Sequence, residues 1–225
     1  YLSTHLRFGT VSIRALARAA WQRRGEAGAD TWLAELIWRE FYAMILYHYP
    51  ESTTQEWSPQ WRGLAWSRDA AHFAAWKEGK PGYPLVGAAM RQLLQTGWMH
   101  NRVRMIAASF LIKHLLIDWR VGEHWLWDTL VDADYAQNAV NWQWVAGSGV
   151  DANMFMRIMA PLVQSEKFDA AGYIRQWVPE LAHLDDATIH DPDQFSRRPS
   201  AYPAKIIGHR QARERALAAY HALKA

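Results

Sequence analysis

Apolar residues along this chain recur at three- and four-residue steps, and nearly every such run is closed by Gly or Pro. Nowhere do apolar and polar residues alternate for long enough to make a strand. Helices can satisfy that pattern; a sheet cannot. Ser12 opens one helix that reaches Arg24 and stops at Gly25, and Asp30 is expected to cap a longer one through Tyr47, ended by Pro50. Further helices are expected over 68–78, over 84–96 with Pro84 in the first turn, and over 101–119, 123–130, 134–146 and 211–223. Loops are expected at 79–83, 147–149 and along the polar tract 183–203. The expected fold class is all-α, with residues 1–225 forming one helical domain.

Composition narrows the chemistry. No run approaches the roughly 18 apolar residues of a membrane span, and the most apolar stretch, Met105 to Ile117, is broken by Ser109, Lys113 and His114. A soluble protein with no membrane partner is expected. The absence of cysteine excludes disulfides, thiolate zinc sites and iron–sulfur clusters, and fits a reducing, cytoplasmic setting. None of the ten histidines has a spacing that puts two ligands on one helix face, so no metal site is expected. A net charge of +3 does not by itself imply nucleic acid, although arginines crowd both ends. Fourteen tryptophans are more than packing requires and point to stacking or electronic work. The chain starts at Tyr1 with neither methionine nor signal peptide and reads as an excised domain.

Three constellations stand out. In Glu-Leu-Ile-Trp-Arg-Glu-Phe, Glu35, Trp38 and Arg39 share one side of a helix. Their apolar neighbours suggest partial burial of Glu35, and a buried carboxyl can keep its proton and donate it in a hydrogen bond. The plain alternative is an exposed Glu–Arg pair beside a core Trp. In Gly97-Trp98-Met99-His100-Asn101-Arg102-Val103-Arg104-Met105, Asn101 and Met105 stack at a four-residue step while the arginines project elsewhere. An amide there can read a base edge and arginines can take phosphates, or the same residues can be a cap, a core filler and surface charge. In Asp132-Ala133-Asp134-Tyr135-Ala136-Gln137-Asn138, followed by Asn141-Trp142-Gln143-Trp144, the carboxylates open a helix that carries Asn138 and Trp142 four apart. Capping alone would explain either Asp.

Taken in order, these runs resemble the photolyase/cryptochrome family, specifically the FAD-binding helical domain of a class I cyclobutane pyrimidine dimer photolyase. The likeness extends from Leu2-Ser3-x-His5-Leu6-Arg7-Phe8-Gly9 through Gly82-Tyr83-Pro84-Leu85-Val86 and Ala88-Ala89-Met90-Arg91-Gln92-Leu93 to Glu166-Lys167-Phe168-Asp169 and Trp177-Val178-Pro179-Glu180-Leu181. The resemblance implies FAD as cofactor and light-driven electron transfer to a pyrimidine dimer flipped out of DNA. By family position, Ser3, Trp32, Arg39, Arg104, Asp132, Asp134 and Asn138 hold the flavin, with Asn138 beside the nitrogen that carries the redox proton. Glu35, Trp38, Asn101, Met105 and Trp144 line the dimer pocket as its catalytic residues. Trp142, Trp119 and Trp66 match an electron-transfer chain to the surface, and Arg102, Arg157 and Lys167 match DNA-binding positions.

Asn101, Arg104, Met105, Asn138 and Trp144 are the choices of the dimer photolyases rather than those of the (6-4) enzymes or plant cryptochromes. Departures are Pro81, Gly87, Asn141, Asn153-Met154-Phe155-Met156 and Gly208. The family's amino-terminal α/β antenna domain is absent from this chain and is expected in the full-length protein, a monomer that acts on damaged DNA. Two functions stay open: repair of pyrimidine dimers, or blue-light sensing by a cryptochrome-like photoreceptor that binds FAD without repair. A piece too short to hold flavin would do neither.

Overall fold

A computed structural model describes residues 2–150 and 158–223; Arg157 and the Asn153-Met154-Phe155-Met156 departure lie outside the described residues. The described chain is helical, and its one β-type pairing is an isolated bridge between Ser67 and Ile117. In order come α1 (Leu2–Arg7), α2 (Ile13–Gln22), α3 (Ala29–His48), α4 (Ala70–Lys77), α5 (Pro84–Thr96) and α6 (Asn101–Ser109). A π turn, Phe110–His114, leads to α7 (Trp119–Thr129), α8 (Tyr135–Ala146), α9 (Pro161–Lys167), α10 (Ala171–Trp177) and α11 (His209–Ala222). No described helix is long and apolar enough to cross a membrane.

Helix α5 is the hub. Pro84 at its first position, together with Leu85, Val86, Ala88, Ala89, Met90 and Leu93, is buried, and α4, α6, α9 and α10 pack around it. Its C-cap is Gly97 at φ 68°, a left-handed conformation that favours glycine. The chain returns over this hub through the 183–208 tract. Tyr83 Oη donates to Ile207 O at 2.8 Å, and Lys205 pairs with the buried Asp191 at 2.6 Å. Part of the tract expected as a polar loop is buried, including Thr188, Ile189, His190 and Tyr202. His190 Nδ1 bonds to Ser165 Oγ at 2.7 Å, so two of its buried polar residues, His190 and Asp191, have partners within the protein.

Several boundaries differ from the sequence reading, each for a local reason. Asp30 sits within the first turn of α3, whose N-cap is Gly28 at φ 84°. The single helix expected over 101–119 is three pieces: α6, the buried π turn, and a bend at Leu116 (φ 54°) before α7. Phe110, Leu111 and Ile112 are fully buried, so the apolar period continues across a break that no Gly or Pro marks. Asp118 then caps α7, accepting the Arg120 N–H at 3.0 Å. The short helices α9 and α10 carry no side-chain N-cap that a sequence pattern could register.

Gly122 shows how tightly α7 and α8 meet. A methyl at this position would collide with Leu111 Cδ2 and Trp142 Cη2 and stand 2.8 Å from Trp142 Cζ3. Gly→Ala inside a helix normally stabilises by about 0.5–1 kcal/mol. Here overpacking should reverse the sign, and Gly122→Ala is expected to lower stability by about 1–3 kcal/mol. Denaturant unfolding checks this; a higher midpoint in the variant would contradict the packing.

Candidate functional site

The site is organised by the two carboxylates between α7 and α8. Asp134 caps α8, accepting the Gln137 N–H at 3.1 Å, and its other oxygen accepts from Arg39 Nη2 of α3 at 2.6 Å. Asp132 accepts Arg104 Nη2 of α6 with both oxygens, at 2.7 and 2.8 Å, while Arg104 Nε donates to Met99 O at 2.7 Å. Gln137 Nε2 closes the ring on Arg39 O at 2.9 Å, and Arg7 Nε of α1 donates to Ala133 O. Both ion pairs are largely shielded from water. Attraction in such pairs roughly offsets the desolvation of the charges, so what they contribute is geometry more than stability.

Between these helices lies a cavity of about 640 Å³, within the usual range of ligand pockets. Its polar end carries Ser3, Arg39, Arg104, Asp132 and Asp134; its apolar wall includes Ala108, Leu126, Leu130 and Val140. Glu35, Trp38, Asn101, Met105 and Trp144 also border it, as do Asn138 and Trp142. Trp38 is half-exposed and stacks on Tyr42 with ring centroids 5.9 Å apart.

The structure does not gather every residue singled out in the sequence. Trp32 is partly buried in α3 but does not line the cavity. Glu35, read as partly buried, is exposed. Helix α3 buries only the narrow stripe of Leu36 and Ile45, and its apolar neighbours Ile37 and Trp38 face outward, so they do not cover the carboxyl. Arg104 turns to Asp132 and away from solvent. Arg102 is exposed on the other side of α6, and Lys167 is exposed at the end of α9.

Trp142 (3 % exposed) borders the cavity and presses on Gly122 of α7, and Trp119 (0 %) lies one turn earlier on that helix. The Ser67 N–H donates to Leu116 O at 2.7 Å, which lays the Trp66 segment beside the chain entering Trp119.

Glu123 of α7 was not legible in the sequence. Asn138 Nδ2 donates to its Oε1 at 2.8 Å and to its backbone carbonyl at 3.0 Å. Both amide hydrogens are directed to α7, so Oδ1 remains as the acceptor of a side chain that lines the cavity. Glu123 and Asn138 lie fifteen residues apart on different helices, so no spacing rule pairs them.

A family model described as the FAD binding domain of DNA photolyase matches residues 32–222. The chain belongs to this family. A deoxyribodipyrimidine photo-lyase of Agrobacterium fabrum is 50% identical over 99% of this chain and 49% of its own length. Among solved structures, a bacterial class III photolyase from Agrobacterium tumefaciens superposes with a TM-score of 0.92 at 49% identity, covering 99% of this chain and 49% of that one. A cryptochrome from Synechocystis sp. PCC6803 superposes at 0.86 with 33% identity, covering 96% and 47%. The chain thus spans about half the length of the relatives it matches. They establish the photolyase family; class I, expected from the sequence, does not follow from relatives that include a class III enzyme.

Burial pushes the Glu123 carboxyl above its ordinary value, against the opposing hydrogen bond from Asn138. A raised acid favours the folded state while protonated, and that contribution is lost as pH rises above the unfolded value of 4.5. Glu123→Gln keeps an acceptor for Asn138 and cannot ionise. Its thermal midpoint should gain on the wild type progressively as pH rises above about 4.5. A gap that stays constant with pH would show that Glu123 ionises without cost.

Proposed function

We propose that this chain is the FAD-holding, repair-competent half of a light-driven DNA lyase that splits cyclobutane pyrimidine dimers. The observation that carries the reading is Asn138. It lines the cavity with its amide hydrogens taken by Glu123, which leaves its oxygen to accept from an N–H donor such as that of a reduced flavin ring, and the Arg39–Asp134 and Arg104–Asp132 pairs supply polar lining suited to the rest of the cofactor. Reduced FAD, when bound, supplies the electron that light delivers to the dimer. The protein's part is to bind, orient and keep water out.

Ser3, Arg39, Arg104, Asp132, Asp134 and Asn138 would hold the cofactor. Glu35, Trp38, Asn101, Met105 and Trp144 would receive the flipped dinucleotide. Trp38, half-exposed and stacked on Tyr42, offers a flat surface to an unstacked base, and Asn101 offers an amide to its edge. Flipping costs a few kcal/mol and least at a damaged step, which favours lesions over intact duplex. Trp142, Trp119 and Trp66 would carry electrons inward from the surface. The packing of Trp142 on α7 and the Ser67–Leu116 bond support that order.

The test is an anaerobic assay of chemically reduced, flavin-loaded protein with dimer-containing oligothymidine under blue light. Restored thymines in the light and none in the dark are expected. Bound flavin without repair in the light would instead favour the cryptochrome-like sensor.

A further inference from the structure

Phe168 is the C-cap of α9, and it is 46% exposed. A single exposed Phe would need no explanation; what sets this one apart is its neighbours. The Arg102 guanidinium carbon lies 5.3 Å from the ring centroid, and Lys167 Nζ lies 5.6 Å from it. These cations come from different helices, α6 and α9. Neither has a carboxylate partner among the described residues, whereas Arg91, Arg104 and Arg120 all do.

The backbone that carries the ring is fixed. The Phe168 N–H donates to Gln164 O at 3.2 Å, and Asp169 follows at φ 47°, which ends the helix there. Phe also has few rotatable bonds, so it can hold a cation at little entropic cost. Two like charges sharing one ring repel each other, and an exposed cation–π contact offsets that only weakly. An anion reaching both cations would complete the cluster. Arg102 directly follows Asn101, which lines the cavity, so the cluster includes a residue of the same first turn of α6.

We infer that Phe168 is a positioning residue for DNA: its ring aims Arg102 and Lys167 at one stretch of phosphate backbone beside the cavity. The inference rests on the DNA-repair reading above and adds a residue that makes no ion pair itself.

The experiment measures binding of the FAD-loaded full chain to a duplex carrying one thymine dimer, as a function of salt. Phe168→Leu should weaken binding by about two- to fivefold for each cation it releases. It should also lower the slope of log affinity against log salt by about 0.9 for each phosphate no longer neutralised. Phe168→Trp, which keeps an aromatic face, should retain both values. In the Arg102→Ala/Lys167→Ala background, Phe168→Leu should have no further effect. Unchanged affinity and slope in Phe168→Leu, or an equal loss with and without the two cations, would overturn the inference while wild-type binding stands. Wild-type protein with no salt-dependent affinity for the duplex would overturn the DNA reading and the inference together.

Discussion

The site depends on two acidic side chains in one short turn. Asp132 and Asp134 lie two residues apart before α8, yet each holds an arginine from a different helix: Arg104 of α6 and Arg39 of α3. Those bonds set how far the three helices stand from one another, and the cavity is the space that results. Removing either partner would leave a charge in poorly hydrated surroundings, at a cost of about 3–5 kcal/mol for a fully buried pair. Asp134 also caps α8, so the residue that starts the helix orients α3 against it. Capping α8 and framing the cavity are joined in this one side chain.

From this frame the rest of the chemistry is arranged on α8. Asn138 follows Asp134 by one turn, and Trp142 follows Asn138 by another. One lines the cavity with its amide hydrogens held by Glu123; the other borders the cavity and reaches the glycine gap on α7. A single helical face therefore links the polar end of the pocket to the buried tryptophans. Gly122 lets that face approach α7, where a methyl group would force the Trp142 ring away.

Much of this was visible in the chain. The all-α class followed from apolar periodicity, and Pro84 and Gly97 marked both ends of α5 correctly. The residues that meet at the cavity stood out as three constellations, because Asn101 and Met105, and likewise Asn138 and Trp142, are spaced one turn apart. What stayed hidden was whatever depends on contact between helices. Glu123 meets Asn138 only because α7 packs on α8. The exposure of Glu35 reflects how little of α3 is covered, which its sequence does not encode. The break after Ser109 escaped notice because a π turn keeps apolar residues inside without needing Gly or Pro. The shared ring of Phe168 likewise joins residues more than sixty positions apart.

A double-mutant cycle on FAD affinity, using Arg104→Met and Asp132→Asn, tests most directly whether these pairs frame the cofactor cavity. If they do, each single change weakens FAD binding by about tenfold or more, equivalent to about 1.4 kcal/mol, and the double variant binds about as weakly as either single one. Independent losses that multiply in the double variant, or wild-type affinity in either single variant, would contradict that framing.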